Sequence, residues 1–378
     1  VLARQIGIHQ ANLGIEDSER MAILPLLVLQ GVILFILATG QVAAAMTAEA
    51  DEGVLDYQRL APMTPFAKVM GFLFGLPIRE YLLFLVTMPF TIWCLWRGNV
   101  PLSISLQLYG VFLVAAILYH CTGLVAGTVV KNRRWAFIIS MGLIFLLYTV
   151  IPQAANFGLV YFKYLTIYPA VEEFRPDLVP KDAGAVFRTI ENLVPTSRFF
   201  MLNMPQSVFT ILSQGAFILA ALTIVWRRWR RAESHLMSKL GATSFFVWIQ
   251  MVLIGNAVPL VASGKLFPSR EFDRRTFGQF TRGAWEPTSG ETEVMVGAYG
   301  VVTLLLLWVM ILMITPSENG QIRGWRRARK QGRSRLSPFS DPASAFPWVA
   351  VMVVAGAAGW FLFARALIES DWFPGAML

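Results

Sequence analysis

Residues 22–46 read AILPLLVLQGVILFILATGQVAAAM, 25 positions without a charged side chain. About 20 apolar residues suffice to cross roughly 30 Å of hydrocarbon as a helix. In lipid a helix is also the form that satisfies its own backbone. The stretch therefore predicts a membrane span, and the same pattern recurs at about 78–96, 105–130, 135–157, 206–226, 243–261, 294–314 and 346–363. Of 378 residues, 56% are hydrophobic and 15% charged, against about a quarter charged in soluble domains. The expected fold class is an all-α polytopic membrane protein of about eight transmembrane helices.

The next stretch, residues 49–68, reads EADEGVLDYQRLAPMTPFAK and holds six charges, Glu49, Asp51, Glu52, Asp56, Arg59 and Lys68. Carboxylates do not lie in hydrocarbon, so the first span ends near Met46. Gly53 breaks the emerging helix, because glycine loses the most backbone entropy there. Val54, Tyr57 and Leu60 or Ala61 fall at helical spacing and predict one or two amphipathic turns. Pro62 ends them, since the residue before a proline is driven out of the α region. Thr64 and Pro65 read as the N-cap and first residue of a new helix over 66–76, which Pro77 kinks or breaks. A short helix is thus expected across the mouth of the first two spans, facing the cytoplasm.

This arrangement resembles the membrane subunit of type-2 ATP-binding-cassette (ABC) exporters. The residues that carry the resemblance are Glu52, Gly53, Leu55, Leu60, Pro62, Thr64, Pro65 and Lys68, with Ala67 where the family commonly has glycine. The resemblance implies that the short helix is a coupling helix that docks on a separate ABC-type ATPase. Its expected docking residues are Glu52, Gly53, Val54, Leu55, Tyr57, Arg59, Leu60, Pro62, Thr64 and Pro65. It also implies a second permease chain, as a homo- or heterodimer, in a bacterial cytoplasmic (inner) membrane. ATP and Mg are expected on the ATPase, with no cofactor on this chain. The resemblance covers about residues 20–231, and 158–205 would be the family's long exofacial element. Residues 1–231 are then an exporter-like core whose first span is expected to precede Val1, and 232–378 are an additional region of three spans with a basic cytoplasmic loop.

Orientation is read from Lys and Arg in the loops. With 47–66 inside, the inner loops 47–66, 131–134, 227–241 and 316–345 carry 16 basic residues in 69 positions, against 13 in 116 outside, which favours that orientation. The external segments are then 1–20, 97–102, 158–205, 264–293 and 367–378, and within the third, residues 183–193 have the pattern of an amphipathic helix. The basic run 323–335, with Trp325 inside it, is explained by the same effect; no nucleic-acid partner is expected. Trp93, Trp96, Trp135, Trp226, Trp229 and Trp248 lie near span ends, where an aromatic belt at the lipid headgroups is expected.

Chemistry-bearing motifs are sparse. The chain has no G-x-x-x-x-G-K-[ST] loop, no H-E-x-x-H and no G-x-S-x-G, so neither phosphate cradling nor zinc or serine hydrolysis is expected of it. Cys94 and Cys121 read as small core residues. His120, inside the third span, is read as a helix-to-helix hydrogen bonder before a proton or ligand path. Arg79 and Glu80 open the second span as an interfacial anchor or a cytoplasmic gate. Gly123 and Gly127 allow a close helix approach, within the chain or to another copy. The expectation is a permease subunit and not an enzyme. The alternatives are a polytopic structural subunit of a larger complex or a membrane-embedded enzyme, and the lack of convergent His, Asp and Glu in the spans argues against the second.

Overall fold

The computed structural model describes residues 15–54, 57, 64–150, 158–178, 197–230, 234–262, 289–332 and 336–369. Its helices are α1 (Ile15–Asp51), α2 (Pro65–Gly75), α3 (Ile78–Arg97), α4 (Leu102–Val129), α5 (Arg133–Thr149), α6 (Tyr168–Leu178), α7 (Gln206–Arg230), α8 (Lys239–Ala262), α9 (Ser289–Ile314), α10 (Glu318–Lys330) and α11 (Phe346–Ile368). Two three-residue strands, β1 (Ser197–Phe199) and β2 (Leu202–Met204), precede α7. Among the described residues seven helices are long and apolar enough to cross a membrane: α1, α3, α4, α7, α8, α9 and α11. The chain is thus an all-α, multi-pass protein by composition and length. The expected span at 135–157 is a helix of 17 residues, Arg133–Thr149, with the remainder of that stretch outside the described residues. The expected amphipathic helix at 183–193 and nearly all of the loop at 264–293 also lie outside them.

The chain divides into two compact units. Unit 1 holds residues 1–152, 162–197 and 203–222. In it α1 packs along α3, α4 and α5. Gly123 and Gly127 serve this internal packing: a Cβ on Gly123 would meet Thr39 O at 2.8 Å, and one on Gly127 would meet Met46 Cβ at 2.6 Å. The small residues therefore let the α4 backbone approach α1 within one chain. Gly40 likewise admits the Phe137 ring of α5.

α1 is longer than its apolar run. It begins at Ile15, and Ser18, Glu19 and Arg20 are buried, so the end of the polar segment 1–20 is part of the bundle. Arg20 Nε donates to Gly98 O at 2.7 Å, placing a cation on the carbonyl end of α3. That is where the helix dipole favours positive charge. Midway, residues Val32–Leu37 form a π turn, with Ala38 N–H bonded to Ile33 O.

The connection after α5 is not a simple surface loop. A 3-10 turn over Val160–Leu165 leads into α6, whose Pro169, Ala170, Phe174 and Leu178 are buried. The Tyr119 hydroxyl donates to Leu165 O at 2.8 Å and meets Tyr148 Oη at 3.0 Å. Gln214 Nε2 donates to Thr166 O at 3.2 Å. Gln214 lies eight residues into α7, so the turn reaches about 12 Å along that helix. Glu173 of α6 accepts Ser207 N–H at 2.7 Å and caps the start of α7. Lys163 is buried against the Tyr164 ring, and desolvation pushes its ammonium below the ordinary value while Glu172 opposes the shift. The burial has no local signature, because the partners of this backbone, Tyr119 and Gln214, lie on other helices.

Unit 2 holds residues 153–161, 198–202 and 223–378. Its core is α8, α9 and α11 packed together. Gly356 and Gly359 of α11 leave room for Thr303 and for the pair Gln250 and Tyr299, whose hydroxyl donates to Gln250 Oε1 at 2.7 Å. Tyr299 and Phe363 stack at 4.9 Å. At one end, Lys239 Nζ donates to Ser340 O at 2.8 Å and to the carbonyls of Ala343 and Ser344, which fixes the approach to α11. Trp93, Trp96, Trp135 and Trp226 are exposed as a belt requires, whereas Trp229 is buried and Trp248 half-buried against Tyr161 and Phe245. The last two therefore serve packing.

Candidate functional site: the charged mouth of unit 1

The stretch 49–68 is bounded by two helix breaks. The first has a conformational cause as well as an entropic one. Glu52 N–H still reaches Ala48 O at 2.9 Å, but Gly53 turns to φ 73°. L side chains disfavour that left-handed conformation, so glycine ends the helix there. Tyr57 N–H then bonds to Gly53 O at 3.2 Å, one helical turn. Val54 is half-buried, and Tyr57 is 75% exposed. Leu55, Arg59, Leu60 and Pro62 lie outside the described residues.

The second break is a cap. Thr64 has extended φ and ψ of −65° and 145°, and its hydroxyl accepts Ala67 N–H at 3.2 Å. Pro65 takes the first helical position, where a missing N–H costs nothing. α2 ends at Gly75, and Leu76 and Pro77 turn the chain into α3.

Arg79 and Glu80 pair with each other. Arg79 Nη2 donates to Glu80 Oε1 at 2.7 Å and Nε to the same oxygen at 3.0 Å. The two differ in exposure: Arg79 is 76% exposed, Glu80 only 1%. Glu80 also sits in the first turn of α3, where the helix dipole favours a carboxylate. Its Oε2 has no hydrogen-bond partner among the described residues. The arginine of the pair is thus exposed, while the carboxylate is buried within unit 1.

The next residue, Tyr81, makes a separate polar contact within unit 1. Tyr81 Oη lies 2.9 Å from His120 Nδ1, and His120 Nε2 lies 2.9 Å from Leu34 O. A carbonyl only accepts, so Nε2 carries the proton; a neutral ring then accepts from the tyrosine at Nδ1. Leu34 is inside the π turn. Ala38 N–H bonds back to Ile33 O, so a return to α spacing at the next amide passes over Leu34 O. His120 supplies a side-chain donor to this carbonyl. The structure thus gives His120 the helix-to-helix role. One turn before Leu34 on α1, Gln30 Nε2 donates to Thr87 and Thr91 Oγ1, each at 2.9 Å, and its Oε1 accepts from Tyr109 Oη at 2.7 Å.

Nothing in the sequence marks the π turn. Gln30 did carry a signal, a carboxamide in an otherwise apolar run, which calls for a partner on another helix. Among the described residues no group of three or more His, Cys, Asp or Glu is placed to hold a metal ion. Cys94 and Cys121 are buried and not disulfide-bonded. The described residues here comprise a turn with an exposed tyrosine, Tyr57, an Arg79–Glu80 pair and a Tyr81–His120–Leu34 hydrogen-bond chain. No protein-family model, curated protein or solved structure matches the chain.

Proposed function

We propose that the chain is the permease subunit of an ATP-driven exporter whose ATPase is a separate polypeptide. The observation that carries this reading is the pair of helix breaks at Gly53 and Thr64, which isolates a helical turn with Tyr57 exposed at its surface. A helix confined between those two breaks is too short to be stable alone in water and gains by docking in a groove. Held between two membrane helices, it loses little conformational entropy when it docks. The resemblance to type-2 ABC exporters names the partner: an ABC-type ATPase bound on the cytoplasmic side of an inner membrane, with a second permease chain completing the translocation path. ATP binding closes the ATPases, the coupling helices follow, and a two-state bundle is biased toward its outward form.

In this reading Arg79 and Glu80 form a gate at the cytoplasmic mouth. The buried carboxylate is held by one exposed arginine, and Tyr81, the next residue, is joined separately through His120 to Leu34 in the π turn of α1. Affinity purification of the tagged full chain from its native membrane tests the assignment. The expected result is a co-purified ATPase whose hydrolysis responds to the chain. A complex of other membrane proteins without an ATPase would replace it with the structural-subunit reading.

A further inference from the structure

α10 is held close to the ends of two membrane-long helices of unit 2. Three residues separate it from Ile314, the end of α9, and Ser317 caps its start by accepting Gly320 N–H at 3.2 Å. Its Gly324 and Ala328 are buried. Pro342, four residues before α11, fills the space that a Cβ on Gly324 would need. The helix therefore leaves the end of one span and passes beside the start of the next. That holds it at the level where spans meet the lipid headgroups.

Aromatic side chains mark the same level independently. Phe339 is 62% exposed, and its ring lies 5.4 Å from that of Trp348. Trp348 Nε1 donates to Pro338 O at 3.2 Å. Phe346, the first residue of α11, is exposed as well. Rings with an apolar body and a polar edge collect at the membrane–water interface.

The sides of α10 differ in chemistry. Ile322 and Trp325, three residues apart, share one side and are 50% and 44% exposed. Arg326 and Lys330, four residues apart, share another and are exposed. Helical spacing puts Lys330 about 140° round the axis from Trp325. Arg329 is exposed too, and the only acid on the helix is Glu318, at its first position. A short helix of low net hydrophobicity, cationic on one side and apolar on another, suits the interface of a bilayer. Its charge complements an anionic leaflet.

We propose that α10 is a surface anchor that lies in the plane of an anionic leaflet, with Ile322 and Trp325 sunk beside the acyl chains and Arg326, Arg329 and Lys330 at the phosphates. The partner is the lipid surface as a whole, with no pocket for a single headgroup. The anchor belongs to unit 2 and does not depend on the transport reading.

Spin labels on Ile322→Cys, Trp325→Cys and Lys330→Cys test the proposal in the full chain, reconstituted in vesicles of phosphatidylglycerol and phosphatidylcholine. The natural cysteines are buried. Collisions with oxygen, which concentrates in lipid, are compared with collisions with a water-soluble nickel chelate. The oxygen-to-nickel ratio is expected to be at least about fivefold higher at 322 and 325 than at 330. In vesicles of phosphatidylcholine alone that difference is expected to shrink about twofold or more. Ready nickel access at all three positions would place α10 in water and overturn the anchor. Exclusion of both reagents at 322 and 325 would mean that protein covers this side, and would replace the lipid by another chain. A difference that persists in full without phosphatidylglycerol would reject the anionic leaflet as the partner. Far-ultraviolet circular dichroism and elution volume show that each labelled chain is folded.

Discussion

His120 Nε2 donates to Leu34 O at 2.9 Å, a carbonyl inside the π turn of α1. A π turn inside a span would ordinarily strand a polar group in lipid. Here an imidazole on the neighbouring helix compensates, and Tyr81 in turn satisfies the imidazole. His120→Ala is expected to destabilise the folded chain by about 1–2 kcal/mol, since two polar groups lose a partner at once. Tyr81→Phe removes one bond and is expected to cost about 0.6 kcal/mol. Unfolding of the purified chain in mixed micelles measures both, and a cost for His120→Ala no greater than for Tyr81→Phe would contradict the role.

The α1–α4 contact gives a second expectation. A methyl on Gly127 would lie 2.6 Å from Met46 Cβ and 2.8 Å from Ala43 O, whereas one on Gly142 of α5 meets nothing within 4 Å. Gly127→Ala should therefore cost roughly 1–3 kcal/mol through overpacking. Gly142→Ala should be neutral or stabilising by up to about 1 kcal/mol through helix propensity. The same unfolding measurement compares them, and equal effects would show that the close approach does not matter.

Much of this was legible beforehand, and the rest was hidden for physical reasons. The runs around Leu34, Phe84, Phe112 and Phe246 declare themselves as spans because lipid demands continuous apolar length. Thr64 and Pro65 declare a helix start because a cap is a local interaction. The close approach at Gly123 and Gly127 was legible, but its partner was not, since Thr39 and Met46 are some 80 residues away. The burial of Glu19 and Arg20 was invisible, because it depends on the carbonyl end of α3. The buried turn at Val160–Leu165 was hidden for the same reason: Tyr119 and Gln214, far apart in sequence, satisfy its backbone. Of the expected docking residues, Glu52, Gly53, Val54, Tyr57, Thr64 and Pro65 are among the described residues, and Leu55, Arg59, Leu60 and Pro62 lie outside them.

Acidification should act on unit 2 through His235. Burial lowers its pKa below the ordinary 6.5, the charges of Lys239 and Arg227 push the same way, and Asp341 opposes them. The folded state then binds the proton more weakly than the unfolded state. The contribution of neutral His235 is whole above 6.5 and is lost as pH falls through that value toward the lower folded one. Between about pH 7.5 and 5.5 the melting temperature of wild type should fall more than that of His235→Asn. Parallel curves for the two would remove His235 from the pH response.

The loop charges predict an orientation, and two exposed positions of unit 2 test it. Met201 is 98% exposed and Ser337 is exposed on the segment after α10. The natural thiols Cys94 and Cys121 are buried, so background labelling is expected to be low. Met201→Cys should react with a membrane-impermeant maleimide in intact cells, and Ser337→Cys only after permeabilisation. The opposite pattern would invert the topology and move the mouth of unit 1 away from any cytoplasmic ATPase.

The most direct measurement is ATPase recovery with Tyr57 altered. Tyr57 is exposed on the turn between the Gly53 and Thr64 breaks, and docking that buries such a side chain contributes about 1.5–3 kcal/mol. Tagged wild type, Tyr57→Phe and Tyr57→Asp are purified from solubilised membranes at equal levels, and the co-purified ATPase and its hydrolysis rate are determined. The account predicts near-normal recovery with Tyr57→Phe and at least about a tenfold loss with Tyr57→Asp, while all three insert equally in the membrane. Equal ATPase recovery from wild type and Tyr57→Asp would contradict a docking role for this turn, and no ATPase with any of the three would contradict the permease assignment itself.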